Sequence, residues 1–338
     1  MWQRPVALRD AISGWALTII LVVALWTLIV LIMSLAPSLE QNVALQGLLV
    51  GVVGSATAWI VGRQYGLSKD VRGRVRFIGL FGEEAALRDL SLVYPAFEID
   101  PAIIQLVETT THPELRFIKT RPVYGPRRAD IRVLAAENDV RALVEVANLF
   151  GDHGRSRVHT YMDGDFVSRG AAGSFVSFGL SSNECTHHYL GNLTNYERQR
   201  LFEIEVDYED EVLRLADGST FRTETNGNHR FHPGVIVRHR PVVEDPTRYW
   251  FLVAGFGAPA TPGAAYWLRE RWRILADLAA ATGSVDFVAV IRTEAHAERN
   301  TRLVRFFGDN LKRKDVPSTT VRRAAGLIKT YVEPSRQP

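Results

Sequence analysis

The sequence predicts an α/β protein: a two-helix transmembrane hairpin, then a mainly parallel sheet flanked by helices. Three observations predict it. Residues 10–62 contain no Lys or Arg, so two long apolar stretches stand there uninterrupted. Several later segments are short, continuously apolar runs, as strands buried on both faces require. Runs with helical spacing alternate with them, the pattern of helices flanking a parallel sheet.

The first span covers residues 11–36 and the second 43–62. About 20 apolar residues cross the hydrocarbon of a bilayer. A cleavable signal would have a shorter apolar core, about 7–15 residues, and no second span behind it. The turn at 37–42 is too short for a domain. Arg4 and Arg9 precede the hairpin, and Arg63, Lys69, Arg72, Arg74 and Arg76 follow it. Both termini are therefore expected in the cytosol, with the protein multi-pass in the inner, cytoplasmic membrane. Trp15 and Trp59 lie near the cytosolic ends of their spans.

Gly47, Gly51 and Ser55 share one face of the second span, and Gly54, Ala58 and Gly62 share another. Small residues let helices approach closely in lipid. They fit packing against the first span, or a homo-oligomer through Gly47, Gly51 and Ser55.

Residues 63–129 read as a basic connector and a lead-in subdomain. Within it, 75–81 resembles a strand, and 85–93 and 101–108 resemble short helices. Pro113, Pro122 and Pro126 then interrupt the chain.

Residues 130–300 read as the main domain. The run 131–136 is a short strand, followed by a helix with Val140, Leu143, Val144, Ala147 and Phe150 at helical spacing. A strand at 157–162 and a loop or short helix at 164–173 come next. The run 174–179 is a buried-type strand, and 184–200 a helix. Antiparallel strands fill an insert at 201–240, with turns at Asp217-Gly218 and Asn226-Gly227. The strand at 249–255 leads into a Gly/Pro-rich loop, 255–263, then a helix over 264–281 that Gly283 ends. A strand at 287–291 follows. Residues 301–338 read as a basic tail.

Composition narrows the function. The net charge is +3 over 338 residues, and 46% of them are hydrophobic. The sequence pI near 9.0 owes part of its excess to arginines beside the hairpin, so nucleic acid is not an expected partner. Cys185 is the single cysteine, so no intrachain disulfide forms.

Three loops follow a strand and open a helix: Glu137-Asn138-Asp139, Gly179 to Asn183, and Gly255 to Gly263. In an open α/β sheet such loops meet at the carboxyl edge, where ligands bind. Helix N-termini there suit phosphate or carboxylate. The expected ligand-binding set is Asn138, Ser181, Ser182, Asn183, Gly255, Gly257 and Thr261. Ser182, Asn183 and the backbone near Gly257 would hold an anionic group, and Glu137 or Asp139 a ribose hydroxyl. The same positions also suit plain capping and turn chemistry. The third loop is neither a dinucleotide fingerprint, since Ala260 stands where its last glycine would be, nor a P-loop, since no Lys follows. Glu137 and Asp139 are the candidate acid and base.

The segments 174–183 and 250–265 together resemble paired motifs of an uncharacterised bacterial Rossmann-like domain. That module recurs behind varied N-terminal units, and the likeness covers 130–295. It implies a Rossmann-like sheet and a sensor or binding module more than a metabolic enzyme, and it carries no residue roles.

Cys185, His187 and His188, with His229 and His232, are the metal-like cluster. Adjacent helical positions diverge by about 100°, so no metal site is expected. No cofactor is identified, although a nucleotide-like ligand fits. Gly179-x-Ser181 lacks the closing glycine of a nucleophile elbow. The leading expectation is a membrane-anchored cytosolic sensor or effector that binds a small nucleotide-like or phosphorylated anionic ligand and signals to the hairpin, with lipid as its other partner. The runner-up is a membrane-tethered enzyme acting on a nucleotide or an N-glycosidic bond. The third is a ligand-free scaffold.

Overall fold

The computed structural model describes residues 6–35, 43–98, 133–170, 172–180, 183–188, 204–207, 210–215, 217–227, 229–241, 245, 247–295 and 297–308. The chain divides into two units, Met1–Phe77 and Ile78–Pro338.

The first unit is helical. Helix α1 is Val6–Leu35 and α2 is Val43–Phe81, whose last residues belong to the second unit. Large apolar side chains stand exposed along both, among them Leu17, Ile20, Val30, Leu48 and Trp59. Among the described residues, no helix is long and apolar enough to cross a membrane. A Cβ placed on Gly51 or Gly54 would meet nothing within 4 Å, so no described neighbour closes on those glycines. Arg63 lies 5.5 Å from the ring of Trp59.

The second unit is a mixed α/β fold. Helix α3 (Glu83–Leu87) leads into β1 (Asp89–Tyr94). These two elements correct the expected helix at 85–93. Ala85, Ala86, Leu90 and Val93 imitate helical spacing, but Leu90 and Leu92 are buried on one sheet face and Val93 on the other. The expected strand at 75–81 is the tail of α2, whose alternating arginines imitate strand period. The expected helix at 101–108 lies outside the described residues.

Among the described residues, strands β2 (Phe97–Glu98) and β3 (Val133–Leu134) pair only with each other, which removes the expected strand at 131–136 from the main sheet. Helix α4 (Glu137–His153), β4 (Arg157–Met162), α5 (Asp163–Ser168), β5 (Phe175–Phe178) and a short helix α6 over 184–188 follow. Strands β6 (Ile204–Asp207), β7 (Val212–Leu215) and β8 (Thr220–Arg222) make a separate antiparallel sheet. Strands β9 (Glu224–Asn226), β10 (His229–His239) and β11 (Trp250–Gly255) precede the long helix α7 (Gly257–Thr282). Strands β12 (Phe287–Glu294) and β13 (Ala297–Gly308) complete the described chain. Thus β10, the last strand of the expected insert, joins the main sheet and makes it mixed, and the expected tail begins with a sheet strand, β13.

The main sheet has eight strands in the order β13-β12-β10-β11-β5-β1-β4, with β9 on β10. Strands β4, β1, β5 and β11 run parallel, and the pairs on the β10 side run antiparallel. Along the parallel part the chain visits its strands in the spatial order second, first, third, fourth. The connection out of β1 goes to β4 on one side, and the next one returns past β1 to β5. That reversal makes a topological switch point between the carboxyl ends of β1 and β5.

The faces follow from strand alternation. Val93, Phe175, Leu252, Ala254, Val235 and Val237 share one apolar cluster with Phe166 of α5 and Leu213 of β7. On the opposite face Phe81 meets Phe150 of α4 at 4.8 Å and Phe251 of β11 at 5.1 Å between ring centres. Arg238, buried on β10, donates to the carbonyls of Gly79 and Leu80 at the end of α2. It also donates to Ser284 and Val285 just beyond α7, at 2.6 Å each. A cation there suits two helix C-termini at once.

Helix α7 begins at Gly257, so the expected Gly/Pro loop is mostly helix. Its small residues answer to close packing on the sheet: a Cβ on Gly263 would lie 2.4 Å from Thr293 Oγ1. Pro262 lies inside the helix and has no N–H to offer the carbonyl of Ala258, which sits at the exposed first turn.

Candidate active site at the sheet edge

The carboxyl ends of the parallel strands carry most of the predicted site residues. Strands β5 and β11 are adjacent and parallel, with Phe178 opposite Val253. The loops after Phe178 and Ala254 therefore leave the same edge. Helices α4 and α7 both start at that edge and lie on one face of the sheet.

Asn183 is fully buried and spans the switch point. Its Nδ2 donates to Val93 O at 3.3 Å and Phe178 O at 2.7 Å, tying the ends of β1 and β5 together. Its Oδ1 accepts the Thr186 N–H at 3.1 Å and caps α6. Both amide hydrogens and the carbonyl are engaged, so Asn183 clamps the strands and leaves no polar atom for a ligand. Asp163 does similar work at the end of β4. It accepts the N–H of Ala96 at 3.1 Å and of Glu184 at 2.7 Å. Ser177 and Thr186 share a hydrogen bond beneath, and Thr186 donates to Gly179 O. Burial pushes the Cys185 thiol up to about 12, which keeps it protonated and unreactive.

Asp139 differs from these partnered groups. Only 6% of its surface is open. Its side chain makes no hydrogen bond or ion pair among the described residues, and burial pushes its carboxyl up to about 6. Gly179, with φ +88°, lets β5 turn beneath it. A Cβ on Gly179 would stand 3.3 Å from Asp139 Oδ1. Position 179 thus brings the first and second predicted loops together. Glu137 is exposed and Asn138 half-buried, two residues and one residue ahead of it on α4.

The third loop leaves β11, the strand next to β5. Gly255 is closed in: a Cβ there would meet Ala260 Cβ at 2.4 Å and Gly234 Cα at 2.9 Å. Gly257 is exposed with φ +67° at the first position of α7. Thr261 is buried within the helix and is not on a loop. Ser181 and Ser182 lie outside the described residues. Between the second and third turns of α4 and α7, and against β13, is a cavity of about 90 Å³, lined by Arg141, Glu145, Pro262, Tyr266, Glu298 and Arg299. Arg141 forms a two-pronged pair with Glu298 there.

Among the described residues no group of three or more His, Cys, Asp or Glu side chains is placed to hold a metal. His229 pairs with Glu294 and His232 with Thr223. Their three-residue spacing on one strand sends them to opposite faces. Sequence reading missed Asp163, whose partner Ala96 lies far off in the chain, and weighed His232 only as a metal ligand.

The fold and this edge define a doubly wound α/β module with an antiparallel extension. No family model, curated protein or solved structure matches the chain.

Proposed function

We propose that the protein is a membrane-anchored module whose α/β unit binds a small nucleotide-like or phosphorylated ligand at the edge between α4 and α7. One observation carries this reading: Asp139 is a buried carboxylate beside the switch point, without a partner among the described residues. Burying a charge is costly unless it is paired, so an unpaired one in a ligand-binding position points to a partner from outside. A carboxylate accepts hydrogen bonds and suits a ribose hydroxyl. The start of α7 has no acidic residue, and its exposed Gly257 N-terminus suits an anion. Gly257 lies against His232 of β10, two strands from β5, and neighbouring strands are about 4.8 Å apart, so the two positions are separated by roughly 10 Å, within the length of a nucleotide. A thermal-shift screen of the full chain against nucleoside mono-, di- and triphosphates tests the reading. At least one should raise the melting temperature, and Asp139→Asn should weaken it tenfold or more with the fold intact. A nucleotide that binds wild type and variant equally would remove Asp139 from the site.

The anchor reading rests on α1 and α2. At about 1.5 Å per residue, α1 is roughly 45 Å long, against about 30 Å of hydrocarbon. The described side chains at 16–32 fall short of a full crossing by themselves. Residues 11–15 and 33–35 carry no charge and continue the same helix. Exposed Leu17 and Ile20 have no described cover and suit lipid. The protein should stay with membranes through carbonate washing, and a reporter fused after Pro338 should report cytosol. Release by carbonate would end the anchor proposal.

A further inference from the structure

At the end of the sheet away from the candidate site, α2, α7 and β10 meet on one side chain. Arg238 stands on β10 opposite Phe287, where β12 begins, and it is 3% exposed. Its Nη1 donates to Gly79 O at 3.2 Å and Leu80 O at 3.1 Å, both in the last turn of α2 and both in the second unit. Its Nε and Nη2 donate to Val285 O and Ser284 O, just past the end of α7. Four carbonyls of two helix ends thus converge on one guanidinium. The rings of Tyr249 and Phe287 stand against it, their centres 4.9 and 4.8 Å from Cζ.

Both elements that reach Arg238 from the sheet begin at the ligand edge. Helix α7 leaves that edge after β11 and returns the chain to the start of β12. Strand β10 runs beneath it, and Phe256 N–H donates to Pro233 O at 3.0 Å where the two start. The contact between them is close: a Cβ on Gly234 would lie 3.0 Å from Ala260 O and 3.2 Å from Ala264 Cβ. A helix packed this tightly moves as a body, so a shift at its start reappears at its end. There Ser284 and Val285 cannot move without drawing on the guanidinium that also holds Gly79 and Leu80. Leu80 and Phe81 have no exposed surface, so the last turn of α2 has no water to fray into. We propose that Arg238 is a coupling node, which transmits displacement of α7 to the last turn of α2, so that occupancy at the start of α7 is felt at the end of α2. Only the trigger rests on the ligand site proposed above; the coupling itself needs no ligand. The residue type matters, because a planar guanidinium reaches carbonyls on two elements at once and a lysine ammonium is a single point.

Hydrogen–deuterium exchange of the full chain, read by mass spectrometry over 78–82, 280–285 and 175–178, tests the coupling. Gly283 ends α7 with φ +65°, and Gly283→Val puts a β-branched residue where it does not fit, which loosens that end. Exchange should rise roughly fivefold or more over 280–285 and roughly threefold or more over 78–82, where Gly82 N–H bonds Ile78 O. Strand β5, over 175–178, should change less than about twofold. With Arg238→Lys added, Gly283→Val should still loosen 280–285, while 78–82 stays at the level of Arg238→Lys alone. A rise confined to 280–285 overturns the proposal. So does an equal rise in all three peptides, which is general destabilisation, and so does equal transmission with and without the guanidinium. Gly283→Ala, a milder strain at the same φ, carries the test if valine prevents folding. A failed nucleotide screen leaves this result standing, and a failed coupling leaves the screen standing.

Discussion

Helices α4 and α7 start at the same sheet edge and lie on the same face, yet their first turns differ in kind. The start of α4 is acidic, with Glu137 exposed and Asp139 buried and unpaired among the described residues. The start of α7 has no charge and is made of Gly, Ala, Pro and Thr pressed onto β10 and β12. One is built around a polar group left without a partner, the other around close apolar contact. A site that keeps one costly group beside a well-packed wall uses the wall to hold that group still.

The contrast breaks most easily on the packed side. Gly255→Ala puts a Cβ against the backbone of Gly234 and Pro233 as well as Ala260. Two strands and a helix would have to part, at a cost of about 3 kcal/mol. Thermal or denaturant unfolding of the full chain should show it, and a loss under about 0.5 kcal/mol, the ordinary range for neutral surface changes, would mean that this wall is soft.

On the polar side the sign reverses. Burial pushes the Asp139 carboxyl up to about 6 from its ordinary 3.8, so the folded protein holds its proton more tightly than the unfolded chain. Wild-type stability from this group is therefore greatest below about pH 4 and falls as pH rises to about 6. Asp139→Asn should stabilise by about 2 kcal/mol at pH 7.5, beneath a ceiling of about 3 set by the shift, and by almost nothing at pH 3.5. A variant gain that is the same at both pH values would show that Asp139 pays no burial cost. Glu137→Gln, at an exposed position of the same turn, should change stability by less than about 0.5 kcal/mol. A larger loss there would make the two acids one unit.

Much of this contrast was legible in sequence, and the part that was not has physical causes. The apolar runs of β5 and β11 and the periodic α4 were readable because burial on two faces, or on one stripe, leaves few residue choices. The loops of Asp139 and Gly179 could be named as candidates for the same reason. Their contact could not, because it depends on β1 lying between β4 and β5, and β1 itself reads as helix. The start of α7 misled in the opposite way. Gly255, Pro259, Pro262 and Gly263 look like a loop, whereas the small residues serve a helix too close to its sheet for larger ones. The role of Asn183 was also hidden. A polar residue before a helix looks available to a ligand, and only the placement of Val93 O and Phe178 O shows its amide already engaged.

Cys185, described above as unreactive, has a practical use for that reason. It is the single thiol of the chain, and it lies 2% exposed beneath the clamp that Asn183 makes between β1 and β5. With its thiol pushed up to about 12, only about one molecule in ten thousand carries a thiolate at pH 8. Alkylation of the native protein therefore waits for this corner to open. Its rate, set against the rate in denaturant, times how often the strand ends come apart, with no label or engineered residue added to the chain.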